Sequence, residues 1–100
     1  SIDEDLTPQS FRLSQNYPNP FNSGTTIEYR LTQPAEVSLA IYDLTGKLIN
    51  TLVDYDQPAD RFTVHWNGIG QSGTSVSAGV YFCRLQTADH KRTIKMLLLK

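Results

Sequence analysis

One hundred residues carry nine basic and ten acidic side chains, a formal charge of −1, and a single cysteine. A chain of this length fits one domain and buries roughly 60 to 68% of its unfolded surface, enough for a core without metals or staples. The balanced charge offers no footprint for nucleic acid or an anionic membrane, one cysteine excludes an internal disulfide, and no apolar run reaches the roughly 18 residues of a membrane helix. There is no signal peptide pattern and no initiator methionine, so the chain reads as a piece from the C-terminal side of something longer.

Residues 1–10 hold three consecutive acids, Asp3, Glu4 and Asp5, a proline and little to bury, the composition of a solvated linker from an upstream passenger. Adjacent acids on a flexible chain do not preorganise a metal shell. In the following stretch Pro18 and Pro20 fix φ and push their predecessors toward extended geometry. That segment cannot be a helix, and Phe11, Leu13, Tyr17 and Phe21 are expected to pin it onto the rest of the domain.

From Thr25 a period of two is clear: Ile27, Tyr29 and Leu31 alternate with Thr26, Glu28 and Arg30, and Pro34 with Ala35 ends the run. Val37, Leu39 and Ile41 repeat the pattern, and Asp43-Leu-Thr-Gly46 makes a turn into a second hairpin strand. Residues 47–53 alternate less cleanly, with Leu48 and Leu52 on one face and Ile49 and Val53 on the other, which predicts a bulge or coverage of both faces. Residues 54–60 are expected as a polar connection. Phe62, Val64 and Trp66 then alternate with Arg61, Thr63 and His65, and Trp66 is expected to anchor the core. The three glycines in residues 67–75 mark a loop, which lacks the lysine and the strand-to-helix setting of a phosphate-binding site.

Gly79 reads as a corner with a positive φ, leading into a central strand with Tyr81, Cys83 and Leu85 on one face and Val80, Phe82 and Arg84 on the other. The Gly-x-Tyr-x-Cys order resembles an immunoglobulin F strand, whose tyrosine hydrogen-bonds back to the corner. Cys83 is expected as a small buried hydrophobe. After a polar turn over residues 88–92, Ile94, Met96 and Leu98 suit the core, which turns Lys95, Leu97 and Leu99 outward. Apolar surface there must be covered, by Tyr17 or Phe21 or by a partner. Together these segments predict an all-β fold, an immunoglobulin-like antiparallel β-sandwich of about seven strands.

Catalytic and metal chemistry find little support. His65 and His90 sit on a solvent-facing strand position and in a charged turn, no zinc spacing exists, and Asp43, Asp54, Asp56, Asp60 and Asp89 fall in predicted turns, where aspartate serves backbone hydrogen bonds. The expectation is a non-enzyme with no cofactor and no metal.

Several segments in order, Leu13 to Asn22 (Leu-Ser-Gln-Asn-Tyr-Pro-Asn-Pro-Phe-Asn), Thr26 to Leu31, Ile41 to Lys47 (Ile-Tyr-Asp-Leu-Thr-Gly-Lys), Trp66-Asn-Gly68, Ala78 to Phe82 and Lys95 to Lys100, resemble the type IX secretion system C-terminal sorting domain, type A. The likeness covers residues 11–100, and the middle is also similar to the immunoglobulin-like domain of flagellar hook-capping proteins. The resemblance implies a C-terminal sorting domain on an exported protein of a Bacteroidetes-like bacterium. Such a domain is carried through the periplasm to the cell surface or extracellular space. The implied partners are the outer-membrane translocon with its shuttle or receptor proteins and a sortase-like cell-surface protease. By the same likeness Gly79, Tyr81, Lys95 and Lys100 match signature positions, while Ser23-Gly24, Asn67 and Gly70 depart from the usual pattern. Leu97 and Leu99 join them as candidate contacts, through strand addition at the C-terminal edge. The alternative is a carbohydrate-binding or spacer module of a secreted glycoside hydrolase, with Tyr42 and Tyr55 as its aromatic candidates.

Overall fold

Alternating side chains account for the layers. The computed structural model describes residues 11–100, so the linker expected over residues 1–10 lies outside the described residues. Seven strands follow in chain order: β1 (Arg12–Leu13), β2 (Thr25–Arg30), β3 (Ala35–Asp43), β4 (Leu48–Gln57), β5 (Arg61–Trp66), β6 (Gly79–Gln86) and β7 (Lys91–Leu98). They form a three-stranded sheet in the order β1-β2-β5 and a four-stranded sheet in the order β4-β3-β6-β7. Every pairing is antiparallel.

The inward set is the one that period two selects. Ile27 and Tyr29 of β2 meet Leu39 and Ile41 of β3, Cys83 and Leu85 of β6 and Met96 of β7, all buried in one cluster. Trp66 closes one end of the core between Phe21 and Tyr81, its ring centroid 5.8 and 5.5 Å from theirs in edge-on contacts, a favoured aromatic arrangement. Its indole N–H donates to the Ile69 carbonyl at 3.0 Å, so the polar edge of the buried ring is satisfied.

The uneven pattern of residues 47–53 has a geometric cause. Leu39 faces Val53 while Ala40 faces Thr51, and Ile41 faces Asn50 while Tyr42 faces Leu48, which leaves Leu52 and Ile49 as extra residues in β4. Each extra residue resets which face its successor occupies. β4 also runs further than expected: Asp54, Asp56 and Gln57 pair with Ser38, Glu36 and Ala35, so the expected connection over residues 54–60 shrinks to residues 58–60. Pairing with a long partner outweighs the low strand propensity of aspartate. The polar turn likewise ends at His90, since Lys91 already pairs with Gln86.

The proline-rich segment crosses from one sheet to the other. The Ser14 N–H donates to Glu28 C=O, and Tyr17 and Thr26 exchange both backbone bonds at 2.9 Å, on the three-stranded side. Four residues later the Phe21 N–H donates to Leu97 C=O at 3.0 Å and its carbonyl accepts from Leu99 N–H at 2.8 Å, on the four-stranded side. Phe21 is buried as expected, and Phe11 and Leu13 pack against the core. Tyr17 does not: it is 81% exposed, because its neighbour Asn16 takes the inward place. Asn16 is buried and donates to Thr25 Oγ1 at 2.9 Å and to Pro18 C=O at 3.2 Å, and the Thr25 hydroxyl donates to the same carbonyl at 2.8 Å. Buried polar groups persist only when bonded, and here they hold the crossing in place.

Candidate partner-binding face

The six candidate residues fall into two groups. Gly79 and Tyr81 serve the fold. Gly79 has φ +148° with nothing within 4 Å of where a Cβ would stand, so glycine is required there by backbone conformation alone. Tyr81 is buried, and its hydroxyl donates to the Ser77 carbonyl at 2.6 Å, the corner bond expected from the Gly-x-Tyr-x-Cys order. Burial foremost, and then the charge of Asp43, raises its phenol pKa. A partner cannot reach this side chain without opening the core, so Tyr81 is corrected from a contact to a support of the corner.

Lys95, Leu97, Leu99 and Lys100 remain at the surface, with Leu97 and Leu99 37% and 43% exposed. Both leucines keep this exposure even with Phe21 bonded beside them. Their backbone is another matter. β7 is the edge of its sheet, yet Lys95 C=O accepts from Gln15 Nε2 at 2.8 Å and Leu97 N–H donates to Asn19 Oδ1 at 2.9 Å. With the two Phe21 bonds, the C-terminal half of this edge is closed. Strand addition along Lys95 to Leu99 is therefore corrected: Lys95 C=O, Leu97 N–H, Leu97 C=O and Leu99 N–H are already bonded, which breaks the ladder an added strand would need, and the accessible part is the outer face.

On that face the register places Tyr42 opposite Leu48 and Phe82, Phe82 opposite Lys95, and Val80 opposite Leu97. The Arg84 guanidinium lies 4.6 Å from the centre of the Tyr42 ring, a cation–π contact. Leu44, at the tip of the β3–β4 hairpin, is 69% exposed. Sequence patterning missed Leu44 and Leu48 as surface features, because a hairpin leucine is not marked as exposed until the turn is built. The turn itself is fixed by Asp43, whose carboxylate accepts from Thr45 N–H at 2.9 Å, Thr45 Oγ1 at 2.6 Å and Lys47 N–H at 3.0 Å. The Thr45 hydroxyl bond, followed by the Lys47 backbone bond, lowers its pKa.

The other chemistry considered from the sequence takes simple positions. Cys83 is buried, and desolvation pushes its thiol up to about 12. Among the described residues no three His, Cys, Asp or Glu side chains gather as a metal cage. His65 is exposed, while His90 stacks on Phe11 at 4.6 Å. Tyr42 is half-buried beneath Arg84, and the exposed Tyr55 and Tyr17 belong to different sheets, paired with Val37 and Thr26. They do not make one sugar platform.

Two stacked antiparallel sheets with a corner tyrosine define an immunoglobulin-like β-sandwich domain. Residues 15–91 match the FlgD Ig-like domain family, and the chain belongs to that family. A search of curated proteins gave no match. Among solved structures, one similar chain comes from work on PorZ, described as an essential bacterial surface component of the type-IX secretion system of Porphyromonas gingivalis. It is 27% identical with a TM-score of 0.59, over 86% of this chain and 11% of that one. FlgD from P. aeruginosa is 23% identical with a TM-score of 0.58, over 74% of this chain and 57% of its own, and shows the shared fold. The chain thus spans about a tenth of the PorZ chain and little more than half of the FlgD chain.

Proposed function

We propose that this domain is a non-catalytic C-terminal sorting module. It directs an exported protein across the outer membrane by the type IX system, to the cell surface or the medium. Its partners are the translocon with a shuttle or receptor protein, the passenger joined upstream, and a sortase-like cell-surface protease, with the domain either cleaved off or kept while the protein is attached to the surface. The observation that carries this reading is the pair Leu97 and Leu99, which keep more than a third of their surface exposed at the end of the last strand and just beyond it, in a domain whose core is otherwise buried. Likeness to a domain of a type IX surface component adds support.

The test is export of a reporter fused ahead of the domain in a type IX-competent bacterium. Wild type is expected in the medium or on the surface, and a Leu97→Thr, Leu99→Thr variant with an unchanged melting temperature is expected to stay in the periplasm. Normal export of that variant removes the reading. Retention of the wild-type domain on a polysaccharide panel, lost on Tyr55→Ala, would favour the carbohydrate-binding alternative instead.

A further inference from the structure

The outer face of the four-stranded sheet has two unlike halves. At the hairpin end Leu44, Leu48, Tyr42, Phe82, Val80 and Leu97 form a continuous apolar surface, since cross-strand partners share a face. A hollow of about 150 Å³ opens there between Tyr42, Leu44 and Phe82. The charges beside it are cationic, Lys95 opposite Phe82 and Arg84 opposite Ala40 and over Tyr42. Asp43 lines the hollow, but its carboxylate is tied into its own hairpin. At the other end of the face Glu36 stands opposite Asp56, and Asp54 opposite Ser38, with Lys91 across from Gln86.

This asymmetry decides what can cover the apolar half. A second copy placed with apolar half on apolar half gathers Lys95 and Arg84 of both copies at one interface, with no carboxylate free to pair with them, and that concentration of like charge opposes association. A second copy turned end for end matches cations with Glu36, Asp54 and Asp56 but lays each apolar half on a charged one, burying carboxylates against leucine. Neither arrangement satisfies both terms. Beside Leu97 the backbone route is closed as well, because Gln15, Asn19 and Phe21 occupy the β7 edge there. We infer that this half of the sheet is a docking face for a different protein, one that presents an apolar ridge flanked by carboxylates. Leu44 and Leu48 enter as contacts equal to Leu97, with Lys95 and Arg84 selecting the acidic rim. As the receptor-facing surface of a sorting module, which presupposes the reading above, the face would be engaged by side chains and not by an added strand.

The test titrates the ¹⁵N-labelled 100-residue chain with a synthetic octapeptide of alternating leucine and glutamate, and with its leucine–lysine counterpart. The acidic peptide is expected to shift the amides of Leu44, Leu48, Phe82, Lys95 and Leu97. It should bind at least tenfold more weakly to a folded Leu44→Thr, Leu48→Thr variant, and Lys95→Glu should abolish its advantage over the basic peptide. Equal binding of the two peptides by wild type, shifts that map elsewhere, or undiminished binding by the double variant would overturn the inference. The reporter assay separates the two levels. If the titration succeeds and wild-type export fails, the docking face stands and the sorting reading falls; if wild type and Leu44→Thr, Leu48→Thr are exported alike, the face is not the receptor surface.

Discussion

Tyr81, Gly79, Trp66 and Cys83 show how single residues hold this sandwich together. Removing the Tyr81 hydroxyl leaves the Ser77 carbonyl without its 2.6 Å donor, so Tyr81→Phe should cost roughly 0.5 to 1.5 kcal/mol in urea denaturation while leaving the peptide titration unchanged. Gly79→Ala meets no steric contact, and its expected loss of roughly 1 to 3 kcal/mol is one of backbone conformation alone. Trp66→Ala empties the end of the core and should cost roughly 3 to 5 kcal/mol, a large part of the roughly 5 to 15 kcal/mol that holds such a domain. Cys83 predicts the alkaline limb. Its thiol pKa rises from 9.0 to about 12 by burial, and the Tyr29 phenol rises from 10.0 to about 12, chiefly by burial against an opposing hydrogen bond to Gln57. Both groups stay protonated in the folded chain while the unfolded chain releases its protons. Stability is therefore full below about pH 9 and falls as pH rises toward about 12, by at most roughly 1.4 kcal/mol per pH unit for the thiol. Thermal melts from pH 8 to 11 should fall less steeply for Cys83→Ala than for the parent.

At the scale of elements, the crossing segment is the part on which the surface depends. The edge strand β7 would otherwise expose unpaired backbone along residues 95–99, a template for pairing with other chains. Asn19→Ala should leave the fold intact and raise the hydrogen-exchange rate of the Leu97 amide, because its acceptor at 2.9 Å is gone. Truncation to a start at Asn22 removes Phe21 and every bond it makes to Leu97 and Leu99. That form is expected to self-associate on gel filtration where the full chain does not, and a monomeric truncated form would refute the sealing role. β4 makes a related point. Its two extra residues shift the face of the strand twice, and that is how Leu48 comes to share the outer surface with Tyr42 while Val53 still reaches the core.

For the molecule as a whole, the distribution of charge along the outer face matters more than the net −1. Cations border the apolar half and carboxylates gather at the far half of the same sheet, so an approaching acidic partner is oriented before contact, and its association should slow as salt is raised. The immunoglobulin-like layering was legible in the residues because period-two alternation in β2, β3, β5 and β6 leaves one buried set and one solvated set, with little freedom for another arrangement. The corner bond of Tyr81 was legible too, since a local turn and a two-residue spacing define it. Leu97 and Leu99 could be turned outward by the same alternation. What alternation cannot encode is which distant segment lies beside an edge. The inward turn of Asn16 rests on Pro18 and Thr25, two and nine residues away, but that Phe21 bonds Leu97 and Leu99 near the other end of the chain, and that Leu44 and Leu48 share one surface with Leu97, follow from contacts between residues far apart in sequence. Those contacts form only after both sheets exist, so tertiary packing, and not local pattern, decided where a partner can dock.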